Sequence, residues 1–112
     1  DVLPLHLPAP SDPRLLRICQ HLQKHPGDDA TLQDWAQALE VDVKTIQRRF
    51  ATELGMTFGQ WRQQARLLAA MERLAVGDKV IDVALATGYD SPSAFTSMFK
   101  RQLGQTPAAF FR

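Results

Sequence analysis

Lys44, Gln47, Arg48 and Ala51 fall at i, i+3, i+4 and i+7, the spacing that lines one face of an α-helix. Such a row can hydrogen-bond to flat groups presented edge-on. An arginine fork matches the paired acceptors of guanine, a glutamine amide matches adenine, and lysine reaches guanine or a phosphate. The same types also suit an ordinary solvated face, so the choice turns on what holds the row in place.

Other reactive types form no comparable pattern. Cys19 is the single cysteine and lies on an apolar stripe, so no internal disulfide is possible and a reducing cytosol is the default compartment. His6, His21 and His25 have no metal-ligand spacing with it. A Gly-x-Ser-x-Gly elbow, a phosphate loop and a paired-acid constellation are all absent, so the residues call for no catalysis and no cofactor. Trp35, Trp61 and the six phenylalanines fall at core positions, which disfavours a platform for stacking single strands.

A repeat positions the polar row. Leu32, Asp34, Trp35, Ala36, Ala38 and Asp42 match Val80, Asp82, Val83, Ala84, Ala86 and Asp90 at a constant offset of 48. After one inserted residue the offset is 49, and Ile46, Phe50, Leu54, Gly55, Thr57 and Trp61 meet Phe95, Phe99, Leu103, Gly104, Thr106 and Phe110. Apolar stays with apolar and cap with cap, as expected of two copies of one unit.

Each copy reads as helix, tight turn, helix. In the first, Thr31 caps a helix with Asp34 at its third position, Glu40 and Val41 form the turn, and Asp42 caps a second helix through Val43, Ile46, Phe50 and Leu54 that ends at Gly55. In the second, Gly88 makes the turn, Ser91 caps with Pro92 at the first helical position, and Phe95, Phe99 and Leu103 precede Gly104. Ahead of both, Asp12 and Pro13 open a helix with Leu15, Ile18, Cys19 and Leu22 inward, ending near Pro26 and Gly27. Between them, Thr57 and Gln60 form a capping box for a spine of about 20 residues that stops at Gly77.

The spine has two apolar sectors, Phe58, Trp61, Ala65, Leu68 and Val76 on one and Leu67, Met71 and Leu74 on the other, so it packs against both units. At 1.5 Å per residue it spans roughly 30 Å, close to the ~34 Å repeat of the B-DNA major groove. Arg62, Arg66 and Arg73 share a narrow sector between the apolar faces. They are expected either to pair with carboxylates such as Asp34 or Asp82 or to face phosphates.

From Val80 to Arg112, the run Val80-x-x-Val83-Ala84, Gly88-Tyr89, Phe95, Phe99-Lys100, Gly104, Thr106-Pro107 and Phe110 resembles the DNA-binding domain of the AraC/XylS family of bacterial transcription regulators. The likeness covers about residues 14 to 112. It implies an all-α, seven-helix domain: a first helix-turn-helix subdomain over 14–55, a linker helix over 57–77 and a second subdomain over 79–112. Residues 1–13, with Leu3-Pro4-Leu5-His6-Leu7-Pro8, then read as an interdomain linker or the exit of an absent N-terminal effector-binding domain. The resemblance also implies a sequence-specific, cytoplasmic regulator, usually an activator, with a double-stranded DNA operator and RNA polymerase as partners. It places Tyr89 and Phe110 in the core.

The expected base-reading set is Lys44, Gln47 and Arg48 in the first unit and Ser93, Thr96 and Ser97 in the second. The backbone set is Thr31, Val43, Thr45, Arg49, Arg62, Ser91, Pro92, Lys100 and Arg101. Thr31 and Ser91 open helices whose amides suit phosphate, although capping alone explains both. Short hydroxyls discriminate bases weakly, so the reader is expected to be asymmetric, with the first unit carrying most specificity. A helical protein-interaction module is the alternative, and no membrane partner is expected. The isolated domain is expected to be a monomer.

The chain has 112 residues, 45% hydrophobic and 22% charged, with 13 Lys and Arg against 12 Asp and Glu and a net charge of +1. A single globular domain fits this composition. Near-neutrality disfavours a nucleic-acid partner at first sight. However, residues 1–42 hold 3 basic and 7 acidic side chains and residues 43–112 hold 10 and 5, so −4 and +5 sum to the total. The basic excess begins at the polar row.

Overall fold

A computed structural model describes residues 7–111. Leu3, Pro4, Leu5 and His6 of the expected linker, and Arg112, lie outside the described residues. Among those described, seven α-helices and no strand are present: α1 (Pro13–Lys24), α2 (Leu32–Ala38), α3 (Val43–Arg49), α4 (Phe58–Ala75), α5 (Val80–Ala86), α6 (Pro92–Leu103) and α7 (Pro107–Phe110).

Most helix starts follow their caps. Asp12 accepts from the Arg14 amide at 2.8 Å. Thr31 with Asp34 and Thr57 with Gln60 close reciprocal capping boxes, which satisfy amides that lack intrahelical partners. Ser91 and Thr106 accept from Ala94 and Ala109. Asp42 departs from expectation: it occupies the cap position of α3 but accepts no side-chain hydrogen bond. The expected single helix from Val43 to Leu54 also changes character. Phe50–Leu54 widens into a π turn before Gly55 closes it at φ +66°. There the Thr52 hydroxyl donates to the carbonyls of Arg48 at 3.0 Å and Arg49 at 3.4 Å, consistent with a side chain competing for the backbone ladder.

Two separate cores result. Leu15, Ile18, Cys19, Leu22, Ala36, Ile46 and Phe50 pack with Phe58, Trp61 and Ala65 from the first half of α4. Leu67 and Ala70 of α4 pack with Val83, Ala84, Phe95, Met98 and Phe99, flanked by Met71, Leu74, Tyr89 and Phe110. The two apolar sectors of α4 therefore serve the two units, one after the other along its 18 residues, about 27 Å. Val76 is the correction: it is 79% exposed, because α4 ends at Ala75 and helical periodicity no longer applies.

The repeat extends to individual backbone hydrogen bonds. In the first turn Glu40 N donates to Gln37 O (3.2 Å) and Val41 N to Ala36 O (3.0 Å); in the second, Gly88 N donates to Leu85 O (3.2 Å) and Tyr89 N to Ala84 O (2.9 Å). Both turns need a left-handed residue, supplied by Glu40 at φ +56° and Gly88 at φ +89°. Residues 7–12 lie against the first unit. Trp61 Nε1 donates to Pro8 O at 3.1 Å, and Glu53 accepts from the Ser11 amide and hydroxyl and the Asp12 amide.

Candidate nucleic-acid interface

On α3, burial of Ile46 and Phe50 fixes the helix face, so Lys44, Gln47, Arg48 and Ala51 stand exposed together. Val43 and Thr45 are half-buried beside them. On α6, burial of Phe95, Met98 and Phe99 leaves Pro92, Ser93, Ser97, Lys100 and Arg101 exposed and Thr96 half-buried. Gly104, at φ +80°, closes that helix after the basic last turn. Thr31 and Ser91 commit their hydroxyl acceptors to capping.

The remaining arginines divide by partner. Arg49 reaches the Asp12 carboxylate at 3.7 Å, on the side of the first unit that holds the start of α1. Arg62 donates from Nη1 to Ala30 O at 2.9 Å and lies over the Phe58 ring at 5.1 Å, a cation–π arrangement. Burial, with Arg66 adding, holds its pKa below the ordinary value. Arg66 donates to Pro26 O (2.7 Å) and Asp28 O (2.9 Å) and pairs with Asp29 at 3.0 Å. Arg73 pairs with Asp78 at 3.8 Å. The expected partners Asp34 and Asp82 are replaced by Asp29, Asp78 and loop carbonyls. Asp34 is already held in its own capping box.

Gly59 and Gln63, which the residue types did not single out, join the two rows. A pocket of about 280 Å³ below α3 is lined by Leu32, Gln47, Ala51, Met56, Thr57, Phe58 and Gly59. A second of about 280 Å³ is lined by Gly59, Arg62, Gln63, Arg66, Tyr89, Met98 and Arg101. Gly59 belongs to both, so one surface runs from Gln47 across the start of α4 to Arg101. The signal was present in the sequence: Gly59, Arg62, Gln63 and Arg66 are themselves spaced i, i+3, i+4, i+7. A Cβ on Gly59 would meet nothing closer than Thr57 Oγ1 at 3.9 Å, so the backbone there is open. Arg62, Arg66 and Arg101 gather around Tyr89, and their pull on its hydroxyl is outweighed by burial, which raises its pKa.

No group of three His, Cys, Asp or Glu side chains among the described residues is placed to hold a metal. His21 Nε2 instead sits 2.8 Å from Asp28 Oδ2. No described helix is long and apolar enough to cross a membrane.

Comparison with known proteins places this arrangement. A family model described as a helix-turn-helix domain matches residues 35–112. The HTH-type transcriptional regulator NimR of Escherichia coli K12 is 40% identical over 106 residues, 95% of this chain and 39% of that protein. RipA of Corynebacterium diphtheriae, also an HTH-type transcriptional regulator, is 33% identical over 107 residues, 96% of this chain and 31% of its own length. The chain thus spans two fifths or less of these relatives. Among solved structures, the DNA-binding domain of the global transcriptional factor AdpA in complex with a target DNA superposes with a TM-score of 0.79 at 31% identity, covering 90% of this chain and 91% of that one. The C-terminal domain of AraT from Geobacillus stearothermophilus gives 0.82 at 30% identity, with 90% and 85% covered. Two helix-turn-helix units on a shared spine, a family match over most of the chain and these superpositions agree, and the protein belongs to the AraC-type helix-turn-helix domain family.

Proposed function

We propose that this chain is the sequence-specific double-stranded-DNA-binding domain of a bacterial transcription regulator, acting as a monomeric unit that places α3 and α6 in successive major grooves. The observation that carries the reading is that Gly59 lines both the pocket that holds Gln47 and the pocket that holds Arg101, while α3 and α6 each carry an exposed polar row. Lys44, Gln47 and Arg48 read bases in one half-site. Ser93, Thr96 and Ser97 face the other, where short hydroxyls make weaker demands. Arg49, Arg62, Lys100 and Arg101, with Thr31, Val43, Thr45, Ser91 and Pro92, hold the phosphate backbone. Residues 14–55 and 79–112 are then the two reading subdomains, 57–77 their linker helix, and 1–13 the connection to an N-terminal effector-binding domain. The whole regulator works in the cytoplasm, as an activator that contacts RNA polymerase.

Fluorescence anisotropy across a salt series tests this, using a duplex recovered from a random pool. Four cations on phosphates give a log–log slope of about −3 to −4. Absence of duplex binding, or binding indifferent to salt, would favour a helical protein-interaction module.

A further inference from the structure

We propose that Arg66 is a positioning residue that fixes the separation of α3 and α6, making the protein selective for the spacing of its half-sites as well as their sequence. The inference rests on the DNA-binding reading above.

The two cores share no buried residue and are joined through α4, so the rotation of one unit on the other rests on that single helix and on whatever braces the units beside it. The junction is polar. Arg66 projects from the middle of α4 with its side chain only 11% exposed. Its Nε donates to Pro26 O at 2.7 Å, and its Nη2 donates to Asp28 O at 2.9 Å and Asp29 Oδ1 at 3.0 Å. These three bonds tie the spine to the α1–α2 loop of the first unit. The same guanidinium also lies against the α5–α6 turn of the second unit, so close that a Cβ on Gly88 would stand 2.8 Å from Arg66 Cζ. The loop itself touches that turn: a Cβ on Gly27 would lie 2.9 Å from Ala86 O and 3.4 Å from Gly88 N. Backbone from both units therefore closes on one planar, multiply bonded side chain. A planar fork bound on several edges resists rotation in a way one flexible contact cannot. A ruler held rigid in advance favours the one half-site separation that matches it and weakens binding to others.

Two variants and two measurements test this. Arg66→Ala removes the clamp. Gly27→Ala keeps the arginine side chain but drives a methyl against the Ala86 carbonyl, wedging the α1–α2 loop off the α5–α6 turn. Spin labels at Gln37→Cys on α2 and Gln105→Cys after α6, both exposed positions, report the distance between units by pulsed electron resonance, while Cys19 stays buried. A narrow distribution is expected without either variant, at least twofold broader in Arg66→Ala and displaced in Gly27→Ala. On pool-selected duplexes whose half-sites are moved apart or together by one base pair, wild type should lose about tenfold or more. Arg66→Ala should lose less than threefold across the same series. Unchanged distances in both variants, or a uniform loss on every spacing with the profile preserved, would overturn the proposal. A wild-type protein that binds no duplex removes the DNA reading itself and the spacing claim with it, whatever the label distances show.

Discussion

Glu40 and Gly88 occupy the same place in the two copies of the helix-turn-helix and share a left-handed backbone, at φ +56° and +89°, closed by the same pair of hydrogen bonds. A side chain in that conformation costs roughly 1–2 kcal/mol, and glycine offsets part of the relief through its unfolded-state freedom. Glu40→Gly should therefore stabilise the protein by up to about 1 kcal/mol. Gly88→Ala carries the reverse backbone cost and displaces a guanidinium pinned by three hydrogen bonds, for a loss of about 2–3 kcal/mol. Urea denaturation of the two variants checks the opposite signs; equal signs would refute the equivalence of the turns.

The chemical difference between the two polar rows predicts unequal energetics. Gln47→Ala and Arg48→Ala should each cost about 1–3 kcal/mol of binding to a selected duplex and relax the preference at one base position. Ser93→Ala and Thr96→Ala should each cost less than about 1 kcal/mol, since a lone hydroxyl bond contributes about that much. Base-pair swaps in each half-site, with affinities measured at fixed salt, give the comparison. Equal penalties in the two halves would show that α6 reads as strongly as α3.

Acid should loosen the first unit before it touches the second. Hydrogen bonds from the Arg14 side chain and amide hold the Asp12 carboxyl at about 2, below the roughly 3.9 of an unfolded Asp. His21 lowers Asp28, and the backbone amide of Ser11 lowers Glu53. A folded-state pKa below the unfolded one stabilises fully above the unfolded value, and that contribution is lost as pH falls through the folded one. Stability should therefore decline from about pH 4 toward pH 2. Asp12→Ala should lower stability at neutral pH by about 1 kcal/mol through the lost cap and flatten the decline. A variant with an unchanged acid limb would contradict the assignment.

Local chemistry made much of this fold readable from the residues. Thr31, Thr57, Ser91 and Thr106 each accept the hydrogen bond their position demands, because a cap depends on residues only three positions away. Angular periodicity alone gave α4 two apolar sectors and so two neighbours, but not that the first half of the helix serves one core and the second half the other, nor that Val76 is exposed. The π turn at Phe50–Leu54 was not readable, since it depends on the Thr52 hydroxyl choosing a carbonyl over solvent. Arg66 illustrates the wider limit: a helical wheel gave its direction, whereas its partners lie on a loop 37 to 40 residues away whose path no periodicity encodes. Gly59 shares a helix face with Arg62, Gln63 and Arg66 in the sequence, but that it lines the pockets of both Gln47 and Arg101 depends on how the two units fold onto α4.

The central claim, that two unequal units on one spine read a duplex together, is tested most directly by selecting bound duplexes from a random pool and sequencing them. The account predicts two enriched stretches about 10 base pairs apart, centre to centre, the one facing Lys44, Gln47 and Arg48 being the more constrained. A pool with no enrichment, or a single enriched stretch with no partner one helical turn away, would contradict it.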